Sequence, residues 1–225
     1  MIDEGVLALI SCGLTAAAFV YAAVRLFRKG KPLYFQLIAA AVGCSLLSAL
    51  NRLAAVFCGS FDALATAAPL AVIGAVLFLL SANYDQLDGL VDGGTARLRV
   101  KLAACIAPLL LAVSGAAIVT LCAGDMLTRI VTALVLFPML PASYLNLKHL
   151  LLPVDEVGFL RATRGTNLCS LGYYIAVHAA MLLSPAGVGV LSGVPCLLLT
   201  AATLALAISA ERGSEAWLAL ISAFS

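Results

Sequence analysis

Charge is scarce in this sequence: Asp, Glu, Lys and Arg make up 11% of 225 residues, hydrophobic residues 64%, and the mean hydropathy is +1.12. A soluble globular domain carries about 25% charged residues, so lipid is the expected solvent for most of this chain. Histidine is confined to His149 and His178, which excludes the multi-histidine zinc sites of membrane hydrolases. The 7 cysteines form no C-x-x-C pair, so neither a zinc nor a redox motif is present. No phosphate-binding glycine loop or kinase signature occurs. The net charge of +2 is small and spread over separate loops, which argues against nucleic acid as a partner.

What the chain has in abundance is long apolar runs. A helix rises about 1.5 Å per residue, so crossing a hydrocarbon layer about 30 Å thick takes about 20 apolar residues. Seven segments meet that length, at 5–27, 33–57, 64–84, 102–123, 129–147, 166–184 and 187–209. They are separated by turn-forming stretches such as Arg-Lys-Gly-Lys-Pro at 28–32, Asp-Gly-Gly at 92–94 and Ser-Pro-Ala-Gly at 184–187. The tightness of the last suggests that spans six and seven form a helical hairpin. The first run follows Met-Ile-Asp-Glu, with no basic stretch before it, and reads as a retained span. The expected fold is an all-α, polytopic seven-transmembrane-helix bundle. Pro138 and Pro141 in the fifth span have no counterparts in the first, which weakens a design from repeated three-helix units.

Basic residues set the direction, because cytoplasmic loops retain them during insertion. Of the 13 lysines and arginines, all but Arg52 and Arg129 fall in the first, third and fifth loops or in the tail. That bias predicts an N-terminus outside and a C-terminus in the cytoplasm, in the plasma membrane. The expected division is a transmembrane domain over 1–209 and a cytoplasmic amphipathic tail over 210–225. In the tail, Trp217, Leu218, Ile221 and Phe224 share one helical face, as in a short interfacial helix. Cys58 and Cys122 fall at outer span ends, where a disulfide is open to them. Tyr84, Tyr144, Tyr173 and Tyr174 lie toward inner span ends, where rings commonly form a belt.

Polar side chains in lipid turn toward the bundle interior, so their spacing identifies internal faces. The second span has Cys44, Ser45, Ser48, Asn51 and Arg52 in steps of three and four; the sixth has Asn167, Ser170, Tyr174 and His178; the seventh has Ser192, Cys196, Thr200 and Thr203. The third and fourth spans read as almost wholly apolar, with Ser114 and Thr120 the chief exceptions. An interior polar cleft between spans two, six and seven follows. Arg52 and His178 sit at similar depth below the outer surface, so a ligand site formed by Ser48, Asn51, Arg52, Tyr174, His178 and Thr200 is expected there. Arginine is permanently charged and grips a carboxylate or phosphate in two-pronged fashion, while histidine changes charge near neutral pH. The bland counter-reading is that Arg52 reaches the headgroups or pairs with Asp62 or Asp125, and that His178 merely bonds a neighbouring helix.

Three stretches carry partial enzyme motifs. Asp85, Asp88 and Asp92 recur so that a continued helix would align three carboxylates, a weak candidate for holding Mg²⁺. Asp85-x-x-Asp88-Gly89 and Asp92-Gly93-x-x-Ala96-Arg97 each resemble portions of the CDP-alcohol phosphatidyltransferase signature. In that family the portions share one Asp-Gly and two further aspartates follow on the next helix. Here they are offset, and 102–122 holds no acidic residue. Cys122-Ala123-Gly124-Asp125 is similar to the Gly-x-Gly-Asp of intramembrane aspartyl proteases without its first glycine, and the charge bias puts Asp85 and Asp125 on opposite sides. Ala112-Val113-Ser114-Gly115 with His178 resembles the serine and histidine of rhomboid proteases, again without the first glycine. The seventh span contains no lysine, which removes the retinal linkage of a rhodopsin.

The reading that results is a non-enzymatic sensor or receptor-like membrane protein that binds a small polar or anionic ligand from the outer side, with no cofactor. Its expected partners are the lipid bilayer, the ligand and a cytoplasmic protein, the last engaging 148–166. A small-solute transporter is the alternative, for which Gly74, Pro138, Pro141 and Pro195 supply flexible helices. A membrane enzyme acting on a lipid headgroup is the third.

Overall fold

A computed structural model of the chain describes residues 4–58, 61–87, 95–122, 126–152, 158–183 and 194–224. The described part is all-helical. The helices are α1 (Glu4–Leu26), α2 (Leu33–Cys58), α3 (Phe61–Leu87), α4 (Thr95–Ala104), α5 (Ile106–Ala117), α6 (Met126–Leu136), α7 (Met139–Leu151), α8 (Gly158–Leu183) and α9 (Val194–Phe224), and a π-helical turn, Ile118–Cys122, follows α5. Seven stretches are long and apolar enough to cross a membrane. The chain is thus a helical bundle of the multi-pass membrane type.

Two of the seven are interrupted, each at a proline. Pro108 has no N–H to bond the carbonyl four residues back, and its ring crowds that carbonyl. The helix accordingly breaks between Ala104 and Ile106, with Cys105 in a turn bonded to Lys101 and Leu102 carbonyls. Pro138 does the same between α6 and α7, where Leu140 N–H turns back to Phe137 O at 3.2 Å. The fourth span is therefore α4, α5 and the π turn, and the fifth is α6 and α7.

The span ends differ from the sequence reading in one systematic way. The sixth helix starts at Gly158, eight residues before the expected 166, and the seventh runs unbroken from Val194 to Phe224 across the expected boundary at 209. Arg161, Arg164, Glu211 and Arg212 lower hydropathy but do not break a helix; charge ends the hydrocarbon, not the hydrogen-bond ladder. At about 1.5 Å per residue the 31 residues of α9 extend about 46 Å, well past the hydrocarbon thickness. Trp217, expected on a separate tail, packs edge-on against Phe159 with ring centroids 4.8 Å apart.

Helix contacts give the arrangement. α2 packs on α3, α3 on α6 and α7, α7 on α8, α8 on α9, and α9 back on α2. Within these five spans lies the core of Tyr34, Phe35, Ile38, Val76, Leu79, Met139, Tyr174 and Leu206. α1 lies in the groove between α2 and α9, and α4 and α5 lie against α7. The first and fourth spans are accordingly the least buried, at 28% and 17% against 44% or more for the others.

At the basic end the α1–α2 turn is tied to α9. Gly30 supplies its positive φ of 91°, a conformation that L side chains rarely adopt. Lys31 Nζ donates to Ser214 Oγ at 2.9 Å, Tyr21 Oη donates to Glu211 Oε2 at 2.7 Å, and Arg25 Nε lies 3.6 Å from Glu211 Oε1. These contacts place residues 21–31 and 211–214 at one level.

α8 and α9 approach closely because small residues line their seam, as in many membrane helix pairs. A Cβ on Gly213 would stand 2.5 Å from Ala162 O and 2.8 Å from Phe35 Cε1, and backbone cannot yield as a flexible side chain does. Overpacking of this kind costs about 1–3 kcal/mol. Gly213→Ala is therefore expected to lower the thermal midpoint of the detergent-solubilised protein. Gly172→Ala, where nothing lies within 4 Å, leaves it unchanged or raises it. Equal midpoints for the two variants would contradict the seam.

Candidate functional site

Among the described residues, most of the polar stripes of spans two, six and seven turn inward. Ser45, Ser48 and Arg52, then Asn167, Ser170, Tyr174 and His178, then Cys196, Thr200 and Thr203 are buried. Most hydroxyls first satisfy themselves on their own helix, donating to the carbonyl four residues back: Ser45 to Ala41, Ser170 to Thr166, Thr200 to Cys196 and Thr203 to Leu199. Hydrocarbon offers no partner, so this local bond is the default for Ser and Thr in such helices. The bonds that cross between helices therefore identify the site.

One group of these surrounds Arg52. Its side chain is only 5% exposed, about 9 Å from the end of α2 at Cys58 by helical rise. Nη1 donates to Ser48 Oγ at 3.0 Å, and the guanidinium is within hydrogen-bonding reach of the Cys196 sulfur, with Cys12 and Tyr173 alongside. Next to them Ser11 and Thr200 join α1 to α9 through their hydroxyls, and Thr15 donates to Ser11 O. Among the described side chains no carboxylate reaches Arg52, and its buried Nε has no hydrogen-bond partner. Inserting an arginine in the middle of a membrane helix costs about 2.5–3.5 kcal/mol. The described surroundings of this buried cation are thiols and hydroxyls, which solvate it without neutralising its charge.

The other expected site residues divide. Ser48 and Thr200 belong to this group. Asn51 is half-buried and its amide donates to Leu47 O on its own helix. His178 is not hydrogen-bonded to Arg52: its Nδ1 donates to Tyr174 O at 3.0 Å, and its Nε2 lies 3.9 Å from where a Gly115 Cβ would stand, on the α5 side. Its Nε2 is turned toward Leu111 of α5. Tyr174 turns away from Arg52, toward Tyr34 and Asn146.

A second group lies at the level of Tyr174 and beyond it, toward the basic end, and this one the sequence reading missed. Asn83 of α3, within a span read as apolar, donates through Nδ2 to Asn146 Oδ1 of α7 and to Leu79 O. His149 Nδ1 donates to Asn83 Oδ1 at 3.0 Å. Tyr34 of α2 donates to Asn167 Oδ1 of α8 at 3.2 Å. Asn167 Nδ2 and Thr166 Oγ1 are buried without a partner among the described residues, and Tyr174 Oη faces the Asn146 side chain. A signal was available, since Asn146 and His149 are three residues apart on one face. Their partner on another span is not visible in any single helix. Tyr173 and Tyr174, expected in an interfacial belt, are both fully buried. Being adjacent in sequence, they point about 100° apart on the helix, Tyr173 sharing a bond of 3.1 Å with Ser45 and Tyr174 facing Asn146. Together they link the two groups into one polar column through the bundle.

Asp88 and Asp92 lie outside the described residues, as do Asp125, Ser192 and the 153–157 part of the fifth loop. The side chains of Asp85, Asp62, Cys58 and Cys122 lie outside the described part as well. Among the described residues no three His, Cys, Asp or Glu side chains converge as a metal site would require.

Asn83 holds two side chains and one carbonyl in place, so Asn83→Leu would strand buried partners on α7, at about 1–3 kcal/mol for each lost group. It is expected to lower the thermal midpoint by several degrees. Asn51→Leu, which removes a single bond within one helix, leaves the midpoint within about a degree. Similar losses in the two variants would contradict the interhelical network.

No protein-family model, curated protein or solved structure matches this chain.

Proposed function

We propose that this chain is a non-enzymatic membrane sensor that binds a small anionic or polar ligand at Arg52 from the outer side. The observation that carries the reading is the Arg52 guanidinium, buried, and among the described residues without a counter-charge and without a partner for Nε. The outer side is assigned from the basic loops: Arg25, Arg28, Lys29 and Lys31 flank the opposite end of α2, which the charge bias places in the cytoplasm. On that orientation the end of α9 carrying Trp217, Leu218 and Ile221 projects past the inner face of the plasma membrane, packed on α8 through Phe159. The cytoplasmic fifth loop, 148–166, would engage a protein partner. An occupied Arg52 would draw on Ser48, Cys196 and Tyr173, and Tyr173 is one residue from Tyr174 on a rigid helix. Ligand contacts at the outer group thus bias the packing of Asn146 and Asn83, which is the coupling a sensor needs.

The polar column also favours a second reading, a small-solute transporter, because it continues from Arg52 through Ser45 and Tyr173 to Asn146 and to the Asn167 amide, whose Nδ2 has no partner among the described residues. Broken helices beside such a path are characteristic of transporters, and the breaks at Pro108 and Pro138 flank α7. The two readings share the binding step and differ in flux.

Formate, acetate and chloride are the probes of choice for the binding step. In nanodiscs the wild-type chain is expected to gain thermal stability with anion concentration, as ligand linkage requires. Arg52→Gln is expected to lose that gain while remaining folded. Equal stabilisation of wild type and Arg52→Gln would overturn the reading. Net uptake of the stabilising anion into proteoliposomes would select the transporter, and its absence the sensor.

A further inference from the structure

A groove of about 500 Å³ runs along the outer face of the α8–α9 seam. It is formed by the same small residues that bring the helices together: with little side chain at Ala162, Gly165, Ala205 and Gly213, the surface between the helices is hollow. Leu168 and Ile208, both exposed, stand along it, and Arg161 and Arg212 lie at one end. The backbones of residues 162 and 213 are in contact, so the two arginines are neighbours across the seam. Neither has an ion-pair partner among the described residues.

The position of the groove in the membrane follows from its neighbours. Arg212 is adjacent in sequence to the segment bonded to the α1–α2 turn, since Ser214 receives Lys31 Nζ and Glu211 receives Tyr21. The arginine end is therefore at the interface that also holds Arg28 and Lys31. From Arg161 to Leu168, and from Arg212 back to Ala205, the groove reaches about 10 Å toward the membrane centre. That is about two thirds of the depth of one leaflet.

We infer that this groove is a binding site for one anionic phospholipid of the leaflet on the basic side of the protein, its phosphate held between Arg161 and Arg212 and one acyl chain laid against Leu168, Ala205 and Ile208. Charge complementarity names the occupant. Two adjacent guanidinium groups accept a phosphate through paired hydrogen bonds, and the apolar wall below them matches a chain attached to that phosphate. A free phosphate would have no use for the wall, and a zwitterionic lipid would bring its own ammonium group beside the two arginines. The site is separate from Arg52 and does not depend on what binds there.

The test uses the full chain in mixed vesicles of phosphatidylcholine with 20% phosphatidylglycerol, extracted in mild detergent and weighed with its retained lipid by native mass spectrometry. Wild type is expected to retain one phosphatidylglycerol in preference to phosphatidylcholine. Each basic residue near an anionic surface contributes about fivefold, so the Arg161→Gln/Arg212→Gln double variant should lose that retention by at least about tenfold. Ala205→Trp, an exposed substitution that fills the groove with both arginines intact, should lose it too. Arg28→Gln, at the same interface but outside the groove, should retain it. Undiminished retention in the double variant or in Ala205→Trp, equal retention of the two lipids by wild type, or an equal loss in Arg28→Gln would overturn the proposal.

Discussion

Hydrocarbon offers no hydrogen-bond partner, and the bundle is arranged by that fact more than by any single contact. Serines and threonines answer it largely within their own helix, and the groups with more polar atoms than one carbonyl satisfies, an arginine, two histidines, three asparagines and a pair of tyrosines, turn inward and set which helices meet. Asn83 holds α3 to α7, Tyr34 holds α2 to α8, and Ser45 and Tyr173 join the same two spans higher up. Apolar packing then fills the space between these fixed points. In lipid it gives no large preference for one helix neighbour over another, so the polar bonds carry the specificity.

How much of this the sequence displayed depends on how local the signal was. Span number needs only a count of apolar residues, and the stripes of the second, sixth and seventh spans need only a step of three or four along one helix. Helix ends were less legible, because Arg161 and Arg212 mark where lipid stops while the backbone ladder continues past them. Gly213 is a point of close approach between α8 and α9, which its place in the sequence does not announce. The Asn83–Asn146–His149 group was not legible at all. It joins residues more than 60 positions apart on helices whose relative rotation no single-helix pattern fixes. The pairing of Arg52 with His178, inferred from equal depth, shows the same limit: depth follows from residue count, whereas facing direction follows from packing, and His178 faces α5.

The column of polar groups has unequal ends. Toward the basic end the contacts are mutual and the helices are locked, with Glu211 receiving Tyr21 beside Arg25 and Lys31 donating to Ser214. Toward the opposite end a permanently charged group faces thiols and hydroxyls, which lower the cost of burying it but do not neutralise it. On the proposed function, a bundle tied at one end, with a guanidinium at the other that no described carboxylate meets, would change shape at that second end when an anion arrives. Small residues at the α8–α9 seam serve both close packing inside and a lipid groove outside, so the features that hold the bundle together also shape its contact with the bilayer.

The central claim is that Arg52 holds an anion in place of a carboxylate from the chain. It is tested most directly by crystals grown in lipidic phase with bromide, whose anomalous signal locates the ion without reference to any expected ligand. The account predicts a bromide peak within hydrogen-bonding distance of the Arg52 guanidinium, lost in Arg52→Gln. A guanidinium paired with Asp62 or Asp125, with no bromide beside it, would contradict the account.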